Sequence, residues 1–236
     1  MVILFKSESY IFINTLNEVV TLLDSNSPHT YIRFFNSLVI DFPLLFYCDE
    51  QLLFKKIDYD FFSRYVEVPS GNHTLSLLNG LTKEILLEKR VNLRPYSIFT
   101  YTLNAKSSQL IKTHQLYSLE ENFRLCAPDK AFLRFHHFSP TAPMLSFYLN
   151  DSELLYKSMR YGESSKYLPI SLKRQSIELK HFDTSTSFLT LPSFQFKSGR
   201  FYSFYLIGSS LSPNMPYKIS PCIDGNSFLK NKKPLH

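Results

Sequence analysis

Residues 130–169 read KAFLRFHHFSPTAPMLSFYLNDSELLYKSMRYGESSKYLP. A short apolar strand ends in Arg134-Phe135. A polar corner follows, holding His137, Ser139, Pro140 and Pro143. A second strand runs from Met144 to Leu149 and stops at the turn Asn150-Asp151. A third short strand, a Tyr161-Gly162 step and a Tyr167-Leu168-Pro169 edge complete the unit. Short runs rich in aromatic and branched residues, bounded by Pro, Gly, Asn and Asp, are strand signals.

The same layout occurs about a hundred residues earlier, from Thr30 to Gly71. Arg33 matches Arg134, Tyr47 matches Tyr148, Tyr65 matches Tyr167 and Phe99 matches Tyr202, at separations of 101, 101, 102 and 103 residues. A near-constant offset over four landmarks needs only small loop insertions. Units of this size with many short strands predict an all-β chain of two tandem immunoglobulin-like Greek-key β-sandwiches. The expected division is an N-terminal helical extension over 1–29, a first sandwich over 30–104, a linker over 105–129, a second sandwich over 130–210 and a tail over 211–236. Leu16, Val19, Val20 and Leu23 follow the i, i+3, i+4, i+7 spacing of a short amphipathic helix within the extension. Lys83 to Arg90 reads either as strand or as a turn or two of helix.

At 236 residues and 44% hydrophobic, each half can bury a core, which excludes a disordered chain. Phe (22) and Tyr (15) are abundant, which favours pleated faces where large rings pack. The net charge of +6 is uneven: residues 1–150 hold 14 Lys/Arg and 14 Asp/Glu, residues 151–236 hold 12 and 6. The cations are scattered except for Lys230, Lys232 and Lys233, so a solvated surface is the plainer reading and nucleic acid is not expected as a partner. Cys48, Cys126 and Cys222 form no Cys-x-x-Cys and no Cys/His metal spacing, in keeping with a reducing compartment. No stretch reads as a signal peptide or a spanning helix, so synthesis in the cytosol is expected, with spore or cell-surface association as the alternative.

His137 beside Ser139 invites a catalytic reading, but no local carboxylate orients the imidazole. His136 and His137 point to opposite faces of a strand, which defeats a metal pair. No phosphate loop or dinucleotide fingerprint is present. No catalytic, cofactor-binding or metal-ligating residue is therefore assigned, and no cofactor is expected. The polar corner reads as structural: Arg33, Asn36, Tyr65, Gly71, Arg134, His137, Ser139, Pro140, Pro143, Tyr167 and Tyr202. Two prolines withhold backbone donors, so side chains must satisfy the corner, and Asn36 stands where the second repeat has His137. Arg33 and Arg134 are expected to pack their stems on aromatics and bond loop carbonyls. Tyr65 and Tyr167 are expected to be buried with phenols on backbone groups.

These residues carry a resemblance. Arg134-Phe135-His136-His137-Phe138-Ser139-Pro140-Thr141-Ala142-Pro143 fits the pattern Arg-Phe-x-His-x-Ser-Pro-x-x-Pro, and Tyr161-Gly162 with Tyr167 fits Tyr-Gly-x-x-x-x-Tyr. Phe201 to Gly208 is close to the final-strand pattern, and Pro221 with Asp224 to Phe228 fits the terminal one. Together they resemble the bacterial domain of unknown function 4397 in its tandem form, as in Gram-positive spore-formers. The resemblance covers roughly residues 30–230 and implies an immunoglobulin-like sandwich with no established activity. Phe46 and Ser146 stand where the family usually has an Asp, Lys173 stands for the Gly kept as Gly71, and the first corner reads Asn36-Ser37-Leu38. The expected function is a non-enzymatic structural or interaction module, envelope- or spore-associated, with self-association, an envelope protein or a glycan as partner. The alternative is carbohydrate or polyanion binding by the basic second domain.

Overall fold

The computed structural model describes residues 5–6, 9–10, 28–105, 113–121 and 129–227. A two-residue ladder pairs β1 (Phe5–Lys6) with β2 (Ser9–Tyr10). The first repeat then runs β3 (His29–Asn36), β4 (Leu44–Cys48), β5 (Gln51–Ile57), β6 (Val66–Pro69), β7 (Gly71–Asn79), β8 (Ile85–Leu93), β9 (Ile98–Ala105) and β10 (His114–Glu121). The second runs β11 (Ala131–His137), β12 (Leu145–Leu149), β13 (Glu153–Met159), β14 (Leu168–Ile170), β15 (Arg174–His181), β16 (Ser187–Gln195), β17 (Phe201–Ile207) and β18 (Lys218–Ile223). A single 3-10 turn, Gly225–Ser227, follows.

Each repeat builds two four-stranded sheets with the same strand order. In the first repeat these are β10-β9-β3-β6 and β5-β4-β7-β8; in the second, β18-β17-β11-β14 and β13-β12-β15-β16. The first strand of each repeat runs parallel to the seventh, with Arg33 opposite Thr100 and Arg134 opposite Ser203. All other pairings within the repeats are antiparallel. The chain is therefore all-β, with two pairs of sheets forming two sandwiches. Even the irregularities recur: β4/β5 and β12/β13 shift register at Leu44/Phe46 and Leu145/Phe147, and Lys56 and Ser158 take positive φ there (53° and 58°). Asn150 and Asp151 both take positive φ, which their short polar side chains tolerate in a tight turn.

Each sandwich has its own core. Ile32, Phe34, Phe46, Leu75, Leu77 and Tyr101 anchor the first; Leu133, Phe135, Phe147, Leu179, Phe196 and Phe204 anchor the second. A third cluster, built on Phe35, Leu119, Phe138, Tyr205 and Ile207, joins residues of both repeats. This explains why β9 (IFTYTLNA) and β17 (FYSFYLI) are buried along their whole length. One face of each strand meets its own core and the other meets the opposite sandwich, so neither needs a polar face for solvent. In β7, by contrast, buried and half-buried positions alternate from Leu75 to Asn79.

Two sequence expectations change. The stretches expected as linker and tail each contain a strand, β10 and β18, at the outer edge of an inner sheet. Neither has a long apolar run; β10 reads HQLYSLEE and buries only Leu116, Leu119 and Glu121. Of the two readings for Lys83 to Arg90, strand holds: Ile85–Leu93 pairs with β7, which outweighs the helix preference of its Lys, Glu and Leu residues. The helix expected around Leu16–Leu23 lies outside the described residues. Among the described residues no helix is long and apolar enough to cross a membrane.

Candidate functional site

The seam between the two inner sheets collects the polar residues that the sequence singles out. On β3, Ile32 and Phe34 enter the first core, so alternation turns Arg33 and Phe35 toward the seam. On β11, Leu133 and Phe135 enter the second core, and Arg134 and His136 face the seam. Thr100 and Ser203 come from the parallel partner strands, Tyr65 and Tyr167 from the segments before β6 and β14, Glu121 from the end of β10 and Asp224 from just past β18.

The two repeats use these groups alike. Arg33 Nε donates to Thr100 Oγ1 at 2.8 Å, and Arg134 Nε donates to Ser203 Oγ at 2.7 Å. Each Nη1 then crosses the seam. Arg33 donates to the Ile223 carbonyl at 3.1 Å, and Arg134 donates to the Glu120 carbonyl at 2.8 Å. Each guanidinium lies over its own repeat's tyrosine, 4.7 Å from the Tyr65 ring and 4.5 Å from the Tyr167 ring. The relation is a pseudo-two-fold one in which the first strand of each sandwich holds the last strand of the other.

The carboxylates receive further donors. Asp224 accepts from Arg33 Nη2 at 2.9 Å, Ser203 Oγ at 2.6 Å and Tyr167 OH at 2.5 Å. Glu121 accepts from Tyr65 OH, Thr100 Oγ1 and the Gly225 N–H, each at 2.6 Å. Arg33 is 4% exposed, Arg134 5%, Glu121 1% and Asp224 not at all. Two buried cations thus face two buried carboxylates, which is how charge is retained away from water. Burial first, then repulsion from Asp224, pushes the Glu121 carboxyl above its usual range, against the pull of both arginines. Burial also lifts both phenols far above their ordinary value, keeping them neutral O–H donors.

An aromatic layer continues the seam. Phe35 stacks on Phe62 at 3.8 Å and leans on Tyr205 at 4.8 Å, while His136 stacks on Tyr205 at 4.5 Å. His136 Nδ1 meets Ser164 Oγ at 2.7 Å. Burial, then the charges of Arg134 and Arg33, hold this imidazole well below its usual range, so it is neutral.

The corner lies at one end of the seam. His137 Nε2 meets the Pro143 carbonyl at 3.0 Å, and its ring sits edge-on to Tyr161. Asn36 donates to the Ile57 carbonyl and accepts from the Leu38 N–H. Ser139 donates to the Gly208 carbonyl at 2.7 Å, and buried Pro140 follows it. Asn104 reaches across to the Phe138 carbonyl at 2.6 Å, and Tyr161 crosses the other way to the Ala105 carbonyl at 2.7 Å. Two of the residues stand apart from the seam. Tyr202 is in the second core and accepts from the Lys197 N–H, and Gly71 opens β7 at φ 129°.

Two bonding patterns differ from expectation. The arginines hold strand-edge carbonyls and a carboxylate rather than loop carbonyls. The phenols donate to carboxylates, because a buried carboxylate lacking donors is the costlier deficit, and Tyr65 in addition accepts from the backbone N–H of Gly225 as expected. Glu121 and Asp224 were not singled out from the sequence. Their separation of 103 residues equals that of Phe99 and Tyr202, and extending the offset past the assumed domain ends pairs them.

The stretch that carries this arrangement also matches a known family. The family described as Domain of unknown function (DUF4397) matches twice, over residues 30–148 and 131–221. The chain belongs to this family. In this DUF4397 protein the two matches overlap over residues 131–148: the first covers the first sandwich and runs into β12, and the second runs from β11 into β18. No curated protein matches the chain.

Proposed function

We propose that this DUF4397 protein is a non-enzymatic structural or interaction module, built from two immunoglobulin-like Greek-key sandwiches locked into one body. The supporting observation is that Arg33, Arg134, Tyr65 and Tyr167 are engaged with Glu121, Asp224 and strand carbonyls inside the seam. Those groups hold the repeats together and face one another instead of a substrate. The two outer sheets then serve as contact surfaces for an envelope or spore protein, a glycan or a second copy.

The polyanion reading draws less support. Of the second repeat's cations, Arg134 is buried, Lys180 pairs with Asp151 and Glu178, and Lys218 pairs with Asp60. A photo-reactive side chain at position 47 or 148, on the outer sheets, tests the module reading in growing and sporulating cells. Capture of a discrete partner is the expected result. Retention on an anionic resin that is lost at high salt would favour the polyanion reading instead. Turnover of a chromogenic ester, phosphoester, glycoside or peptide that His137→Asn abolishes would overturn the non-enzymatic reading.

A further inference from the structure

The turn between β4 and β5 is tied to β7, and the equivalent β12–β13 turn to β15, but by different chemistry. In the second repeat, Asn150 Nδ2 donates to Gln175 Oε1 at 3.1 Å, and Gln175 Nε2 donates to the Ser171 carbonyl at 3.1 Å. The Ser176 N–H donates to Asn150 Oδ1. In the first repeat the equivalent residues are Asp49 and His73. His73 Nδ1 lies 2.7 Å from Asp49 Oδ2, His73 Nε2 lies 2.9 Å from the Pro69 carbonyl, and the Thr74 N–H donates to Asp49 Oδ1 at 2.8 Å. Asp49 and Asn150 share the positive φ of this turn, 53° and 48°. The frame is the same, so the second repeat shows what the clamp alone requires: two neutral amides.

The first repeat adds something the clamp does not need. Both ring nitrogens of His73 face acceptors, a carbonyl and a carboxylate. A neutral imidazole has one N–H and satisfies only one of them. With Nε2–H donating to Pro69, the Nδ1 lone pair faces Asp49, an arrangement that a metal ion bridges. The third difference points the same way. Cys48, where the second repeat has Leu149, brings its sulfur to the same place, and the Cys48, Asp49 and His73 ligand atoms all lie within 4.8 Å of one another. At all three positions a coordinating side chain in the first repeat faces a non-coordinating or neutral one in the second: Cys/Asp/His against Leu/Asn/Gln.

We propose that Cys48, Asp49 and His73 form a three-ligand site for Zn²⁺ or a similar first-row divalent cation. Sulfur, imidazole and carboxylate are its usual ligands, and three protein ligands leave one position open. The Nε2–Pro69 bond is the outer hydrogen bond that orients a metal-ligating histidine. Tetrahedral Zn²⁺ sets its ligand atoms about 3.3–3.8 Å apart. The Asp49–His73 pair therefore opens by roughly half an ångström on binding and the sulfur closes in. Binding displaces the proton of the Cys48 thiol, as any thiolate ligation does. Asp49 and His73 line a cleft of about 550 Å³ together with Asn72, Arg90 and Asn92, while Cys48 reaches them from the edge of the first core. Arg90 there favours a metal carrying an anionic fourth ligand. The inference does not depend on the proposed module function.

Co²⁺ titration of the full chain is the test, followed by Zn²⁺ competition. One equivalent of Co²⁺ is expected to give tetrahedral visible bands and a near-ultraviolet thiolate band, both abolished by Zn²⁺. Cys48→Leu is expected to remove the thiolate band although Cys126 and Cys222 remain. The double variant Asp49→Asn/His73→Gln reproduces the second repeat's own pair, so it is expected to fold, with affinity at least about tenfold weaker. Absence of the bands in the wild-type chain, or their persistence in the double variant, would overturn the proposal.

Discussion

Arg33 and Asp224 are 191 residues apart and belong to different sandwiches, yet they meet at 2.9 Å in a site closed to solvent. Asp224 also lies 3.6 Å from Arg134, so one carboxylate serves both arginines. Replacing Asp224 with Ala leaves two guanidinium groups short of a counter-charge and two hydroxyls without an acceptor. Breaking a buried ion pair from one side costs about 3–5 kcal/mol, and a loss in that range is expected in urea unfolding. Because the seam bonds both repeats, the wild-type chain is expected to unfold in one transition. A loss under about 1 kcal/mol for the variant would mean the seam adds little.

Tyr167 donates to that same carboxylate at 2.5 Å while its ring covers Arg134. Tyr167→Phe keeps the ring and removes the donor. A hydrogen bond to a charged group is worth about 1.5–3 kcal/mol, and that is the expected loss. Tyr148, half-buried on an outer sheet with Lys180 over its ring, is the control. Tyr148→Phe keeps this contact and is expected to change stability by less than about 0.5 kcal/mol. Equal effects from the two variants would contradict the assignment.

The buried His136 makes stability depend on pH. Burial, then Arg134 and Arg33, hold its folded value well below 6.5. As pH falls through 6.5, the unfolded chain takes up a proton that the folded chain refuses, and stability drops by up to about 1.4 kcal/mol per pH unit. His137, also held low chiefly by burial, adds in the same direction. Glu121 acts oppositely: its raised carboxyl favours the fold while protonated, and that contribution is lost as pH rises from 4.5 through the folded value. The first repeat carries Phe35 where the second has His136, so His136→Phe borrows a side chain already used at this seam. Urea midpoints at pH 7.5 and 5.5 are expected to differ less in that variant than in the wild type. An unchanged difference would assign the acid sensitivity elsewhere.

How far the sequence reveals this arrangement depends on which residues carry a repeat signal. Arg33/Arg134 and Tyr65/Tyr167 recur at a fixed offset beside aromatic strands, so their equivalence is legible. Glu121 and Asp224 sit at the ends of edge strands with little apolar pattern, and each falls in a stretch that reads as connection. The seam itself has one sequence mark. IFTYTLNA and FYSFYLI lack the alternation of a sandwich strand with a solvated face, and burial on both sides is the physical reason. The clustering of Cys48 and Asp49 with His73 is set by the pairing of β4 with β7, which no local spacing displays.

At Gly225 the backbone of the second repeat meets side chains of the first. Its N–H donates to Glu121 Oε2 at 2.6 Å and to Tyr65 OH at 2.9 Å, so the second repeat's end is held by the first repeat's carboxylate and phenol. A Cβ at this position would lie 2.8 Å from the Tyr65 ring and 3.1 Å from Ile98. The ring is held between the Arg33 guanidinium and Glu121, so it cannot yield without loosening both. Gly225→Ala is therefore expected to cost about 1–3 kcal/mol, the range for forcing an extra carbon into a packed interior. Adding Tyr65→Phe removes the hydroxyl but leaves the ring atoms that the new methyl meets, so the double variant is expected to be less stable than either single one. Gly71→Ala is the contrasting control. Its Cβ would meet nothing within 4 Å, and its cost comes only from a φ of 129° that side chains rarely adopt. If Gly225→Ala leaves the urea midpoint unchanged, the Tyr65 ring is free to move, and the close packing of this end of the seam is refuted.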